Sequence, residues 1–189
     1  MILKDIYLKV KQFFKKEDAQ LVPSENILLE VHKNKGLLWE KIALFKERLL
    51  ELPNSVSHTA GKEQSNGMKE LFPLEHHIEG GLYTREIFMP KHTCAVSFIH
   101  KQDHPSFIIA GEVSVLMDTG EIIRHKAPDK IMTKKGTQRV FFMHEDTRWV
   151  CVYKTDKETV TEAENDIYTE NWRDLPIEII NQNKLLWQE

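Results

Sequence analysis

Between about His77 and Thr155 the chain alternates apolar and polar residues with a period of two, which restricts it to an antiparallel β architecture. The pattern runs through Tyr83 to Met89, Ala95 to His100, Ser106 to Met117, Glu121 to His125, Lys130 to Thr133, Gln138 to His144 and Arg148 to Tyr153. These runs are rich in β-branched and aromatic residues. Pro90, Asp118-Thr119-Gly120, Pro128, Lys135-Gly136 and Glu145-Asp146 break them where a chain must turn. Short strands with no helix between them bury their inner faces by closing into a barrel or a double-sheet jelly roll.

The flanks read differently. Ile2, Leu3, Ile6, Tyr7, Val10, Phe13 and Phe14 form one apolar stripe at helical spacing. A second stripe, Leu38, Ile42, Phe45, Leu49 and Leu52, ends at Pro53, and Ser24 is placed to cap a start between them. Residues 1–53 are therefore expected to form a helical segment, and the polar, small residues of 54–73 a linker separating it from a barrel over 74–156. In residues 157–189, Thr159-x-x-Glu162 is a capping-box pattern that predicts a short helix. The apolar arm after it, from Trp172 to Trp187, is expected to dock on a partner subunit, so the chain is expected to be a homo-oligomer.

Composition excludes several classes of partner. With 26 basic and 29 acidic residues the formal charge is -3, which gives no footprint for nucleic acid or an anionic membrane surface. Charges interrupt the apolar residues at the N-terminus where a signal peptide needs an unbroken run, so a cytoplasmic location is expected. The two cysteines, Cys94 and Cys151, lie in strand-like apolar runs and are expected to be packed thiols.

Chemistry concentrates at His100 and His104, four residues apart at a tight connection between strands. Two imidazoles so placed can supply half of a transition-metal site; alternatively, they hydrogen-bond at a barrel mouth without a metal. The other candidate ligands are Glu86, Asp103, Tyr153 and His144. Arg139 offers a planar fork of donors, which would either anchor a carboxylate or phosphate or form a buried ion pair with Glu86. His76 and His77, adjacent on an extended segment, and His32 and His58 are expected at the surface. No Gly-x-Ser-x-Gly elbow or complete phosphate-binding loop occurs in the sequence.

The succession Gly81-Leu-Tyr-Thr-Arg-Glu-Ile-Phe-Met-Pro90, His100-Lys-Gln-Asp-His104, Gly111-Glu-Val-Ser-Val-Leu116, Lys126-Ala-Pro128, Lys135-Gly-Thr-Gln-Arg139 and His144-Glu-Asp-Thr-Arg-Trp149 resembles the small cupins encoded in tailed-phage genomes, over about residues 74–160. The resemblance implies a mainly β, cupin jelly-roll barrel whose ligand positions fall on Phe98, His100, His104 and Arg139. Only two of these four are metal-competent, and Tyr153 stands where the similar phage proteins often place a histidine. The function it implies is a non-catalytic accessory or virion-associated binding or assembly module, with virion proteins or a small anionic ligand as partners. One alternative is a metal-dependent oxygenase, isomerase or lyase holding zinc, iron or nickel at His100 and His104, with Glu86 or Tyr153 as catalytic group and Arg139 as substrate anchor. A metal-free binder of a small metabolite or nucleotide is the other.

Overall fold

The computed structural model describes residues 25–52 and 55–186, with the side chains of residues 25, 26, 185 and 186 excepted. The stripe from Ile2 to Phe14, the Ser24 cap and Trp187 lie outside the described residues. Eleven strands are described: β1 (Leu74–Glu79), β2 (Leu82–Met89), β3 (Cys94–Val96), β4 (Ile99–His100), β5 (His104–Ala110), β6 (Glu112–Leu116), β7 (Ile122–Lys126), β8 (Asp129–Thr133), β9 (Val140–Met143), β10 (Thr147–Lys154) and β11 (Tyr168–Thr169). They form a five-stranded sheet in the order β1-β2-β10-β5-β8, a four-stranded sheet in the order β3-β9-β6-β7, and the small β11-β4 pair. Every pairing is antiparallel.

The two large sheets share one core. Tyr83, Ile108, Ile131, Trp149 and Cys151 of the first pack with Val113, Val115, Phe141 and Met143 of the second, and the Phe141 and Trp149 rings meet edge to face at 5.2 Å. This is the mainly β, antiparallel jelly-roll barrel expected from the strand pattern. The run from Ser106 to Met117, read as one strand, is two. Gly111, at φ +86°, turns the chain from the end of β5 in one sheet to β6 in the other, and an added Cβ there would stand 2.3 Å from the Asp146 carbonyl oxygen. The run from Ala95 to His100 is likewise broken, at residues 97–98.

The outer face of the four-stranded sheet is covered from within the chain. Leu116, Val140 and Phe142 pack with Ile27, Leu28 and Val31 of a 3-10 helix (Glu25–Lys33) and with Leu38, Ile42 and Phe45 of an α-helix (Leu38–Leu50). The helical stripe thus meets the barrel directly, and the described residues 55–73 do not act as a spacer. They carry a short helix (Asn66–Leu71), capped by the Ser65 hydroxyl, and they bury Met68 and Phe72 in the main core. Most of their polar side chains are exposed, while His58, the Gly61 N–H and Gln64 make contacts inside the fold.

The C-terminal arm also differs from expectation. Its helix (Val160–Ile167) begins at Thr159, whose hydroxyl accepts from the Glu162 N–H, as the capping box requires. Beyond it Trp172 stacks on Trp39, while Leu175 and Ile180 pack with Ile99 and Trp39 of the same chain. Of the apolar groups that suggested a partner subunit, Trp172, Ile179 and Ile180 pack within the chain, while Ile177 is 58% exposed. No helix among the described residues is long and apolar enough to cross a membrane.

Candidate functional site

Strand alternation sets which side chains look into the barrel. On β10, Trp149, Cys151 and Tyr153 share the inner face. On β2 the inner set is Tyr83, Arg85 and Ile87, which leaves Glu86 on the outer face, ion-paired with Arg148. The expected Glu86–Arg139 pair therefore does not form, because the two residues lie on opposite faces of a sheet. Asp103 also turns outward, accepting from Lys134 Nζ and from the Lys135 N–H, both at 2.8 Å. His144 is bonded to Ser114 at 2.8 Å and rests edge-on against Phe142, on the outer face of the four-stranded sheet.

A cavity of about 280 Å3 extends from the barrel interior out to the flanking helices, where Ile27, Glu30, Lys46 and Leu49 line it. Its walls are chiefly apolar and aromatic, including Ile87, Met89, Phe98, Phe141 and Trp149, and its polar groups include Arg85, Arg139, His100, Ser106 and Thr133. The segment that had read as a linker lines it as well, through Val56 and His58.

His100 is among the lining residues, and His104, which is not, packs against it. Their ring centres are 4.6 Å apart, and His104 also lies against Tyr153 at 4.2 Å. His100 Nδ1 hydrogen-bonds the Tyr153 hydroxyl at 3.2 Å, and that hydroxyl bonds Tyr168 at 2.9 Å. Burial holds His100 well below the ordinary histidine range, reinforced by His104, Arg139 and Arg85. Burial likewise brings His104 down to about 4, against the pull of the Gln102 carbonyl and with help from Arg139. Both imidazoles are neutral at pH 7. Tyr153 is pushed well above the ordinary phenol range by burial, so it is a protonated donor there.

Arg139 is only 3% exposed. Its Nη1 donates to Thr133 Oγ1 at 2.8 Å, and its Nε has no hydrogen-bond partner among the described residues. Burial lowers its affinity for the proton, opposed by the nearby Asp118 carboxylate, but a guanidinium stays charged under any physiological condition. Cys151 sits beside Ser106 at 3.5 Å. Cys94 lines the cavity mouth, its thiol pushed up to about 12 by burial, so it is no nucleophile at neutral pH.

A second polar cluster, invisible in the sequence, closes the region behind Tyr168. Glu164, 2% exposed, accepts from Arg85 Nε at 3.2 Å, from the Gly61 N–H at 2.9 Å and from the Tyr83 hydroxyl at 3.4 Å, with His58 Nε2 at 3.8 Å. Burial raises its carboxyl, but His58, Arg85 and the Gly61 N–H outweigh that and hold it at about 2. His58 is thus a buried member of the cluster rather than a solvated residue. His76, also expected at the surface, is half-buried and bonded to Tyr83 at 2.8 Å. Arg85 is the cluster's link to the cavity, its charge already answered by Glu164.

The residues present do not fit a resident catalytic metal. Such ions take three or more protein ligands, whereas no group of three His, Cys, Asp or Glu side chains that could hold one occurs among the described residues. The carboxylate candidates point outward, and the positive charge of Arg139 acts on both imidazoles.

The chain is similar to three solved structures in the arrangement of its strands. It shares 19% identity with the Clostridium difficile EutQ protein over 44% of this chain and 68% of that one, with a TM-score of 0.37. The corresponding values are 17%, 45%, 64% and 0.37 for the cupin domain of Schizosaccharomyces pombe Cnp3. For a cupin 2 domain-containing protein from Halorhodospira halophila they are 10%, 52%, 81% and 0.41. No protein-family model matches the sequence, and no curated protein matches it.

Proposed function

We propose that the barrel is a non-catalytic binding module whose cavity takes a small organic anion with an apolar body, without a metal. Arg139 carries this reading: a nearly fully buried guanidinium lines an apolar cavity and keeps one N–H without a partner among the described residues. A buried donor left unmade is costly, and a carboxylate entering the cavity satisfies it with a charge-assisted bond. Ile87, Met89, Phe98, Phe141 and Trp149 offer the ligand's body an apolar surface. At about 280 Å3 the cavity is at the small end of ligand pockets, which suits a metabolite rather than a polymer. The phage-type accessory role implied by the resemblance is consistent with such a module, and mass spectrometry of purified particles tests that part separately.

The metal-dependent enzyme is favoured by one observation, a His104 Nε2 beside His100 that has no partner among the described residues. It requires ligands that these residues do not supply, so the anion-binding reading is preferred.

The test is calorimetric titration of the whole chain with 3-phenylpropanoate and with its neutral amide, in chelator. The carboxylate is expected to bind at one site, at least ~30-fold more tightly than the amide, and Arg139→Met should erase that preference. Equal affinity for acid and amide, or no binding of either, overturns the reading.

A further inference from the structure

The cavity does not stop at the barrel wall. β3 is an outer strand of its sheet, with β9 as its one partner among the described strands. Successive residues of a strand face opposite sides. Ala95 packs on the barrel core, while Cys94 and Val96 pack on the cluster under the helices. All three nevertheless line the same cavity, as do Phe141 of the barrel core and Phe142 of the helix-covered face. β9 is paired on both sides, by β3 and by β6, so a space that touches both faces of the sheet bends round the open edge of β3.

The two ends of this space differ. Inside the barrel its walls include Arg139, Ser106 and Thr133, none more than 3% exposed. On the helix side they include Ile27, Leu49 and Leu50, and Leu50 is 43% exposed. Two other cations line the cavity, but Lys46 is ion-paired with Glu170 and Arg85 with Glu164. Arg139, whose Nε has no partner among the described residues, is left to hold an anion at the buried end.

We propose that the ligand is a flexible aliphatic carboxylate, its carboxylate held by Arg139 inside the barrel and its chain bent round the β3 edge toward Leu49 and Leu50. This rests on the anion-binding reading above and names its ligand class. A methylene chain follows a bend that a rigid ring system cannot, and each methylene carried past the edge buries more apolar surface. The reverse orientation, with the carboxylate at the exposed end, gains little, because water screens a charge there and the Arg139 donor stays unmet.

Hexanoate, octanoate and decanoate test this by calorimetry in chelator, against the unaltered chain and against Arg139→Met. Affinity is expected to rise ~4-fold with each added methylene, and Arg139→Met should weaken all three acids by a similar factor of at least ~10. Decanoate labelled with 13C at its terminal methyl locates the tail by isotope-edited NOE on the unaltered chain, with contacts expected to Val96, Phe142 or Leu49. Octanoate and decanoate binding within about 2-fold of hexanoate overturns this proposal and leaves anion binding intact. So do methyl contacts confined to barrel-core residues such as Phe141 and Trp149, and so does failure of the three acids where 3-phenylpropanoate binds. Failure of all four acids, or affinities that Arg139→Met leaves unchanged, overturns both.

Discussion

Trp172 stacks on Trp39 with ring centres 5.5 Å apart and planes 13° from parallel, fastening the C-terminal arm to the N-terminal helix of the same chain. Arg173 lies 4.3 Å over the Trp172 ring, and Trp39 Nε1 donates to the Gly136 carbonyl at 2.8 Å, which joins both helices to the turn before Arg139. Replacing Trp172 by Ala should cost about 1–2 kcal/mol in urea unfolding, the value of a partly exposed aromatic contact. It should leave the mass in solution unchanged. A change of oligomeric state in this variant would show that the arm holds subunits together instead.

The Glu164 cluster makes a prediction for acid stability. The folded carboxyl titrates at about 2, against an ordinary value of 4.5. The unfolded chain therefore binds the proton first as pH falls. Its stabilisation is complete above about pH 5 and is lost as pH drops toward 2, a loss on the order of 3 kcal/mol. Glu164→Gln should remove that pH dependence, and it should destabilise the neutral protein by about 3–5 kcal/mol because Arg85 is left buried without its carboxylate. Urea midpoints measured from pH 7 to pH 2 check both effects.

His104 acts over a different window. Its folded value of about 4 lies below the ordinary 6.5, so here too the unfolded chain takes up the proton first. Stability is full above about pH 6.5 and declines as pH falls toward 4, by about 3 kcal/mol for this ring. The His104→Phe variant should show a flatter profile across that interval than the unaltered protein, and identical slopes would contradict a buried neutral imidazole.

At Gly111 the backbone lies in the left-handed region, and an added Cβ would meet the Asp146 carbonyl oxygen at 2.3 Å and Thr147 Cα at 2.7 Å. Neither neighbour is the far end of a flexible side chain. Gly111→Ala should therefore cost more than about 2 kcal/mol, visible as a lowered Tm.

The barrel was legible in the sequence because strands such as β5 and β10 are half-buried and write their own alternation, and Trp149, Cys151 and Tyr153 share an inner face as that alternation requires. Other choices are made at long range. On β2 both faces mix polar and apolar residues, so alternation could not decide between Arg85 and Glu86. The decision comes from Glu164, 79 residues away, which takes Arg85 inward. His58 and Gly61 sit in a segment whose polarity reads as solvation and is mostly exposed, yet these two reach Glu164. The proximity of His100 and His104 was readable from spacing alone. That His104 is fixed by Gln102 and that Arg139 leans on Thr133 depends on the β5–β8 register, which no local pattern encodes.

The most direct measurement is the 15N-edited NMR signal of the Arg139 Nε–H group, assigned by its loss in Arg139→Met, followed during titration with 3-phenylpropanoate. Capture of a carboxylate by that donor should move its proton resonance downfield in step with saturation. An Arg139 signal that stays in place while the ligand saturates the protein would contradict the claim that this guanidinium is the anchor.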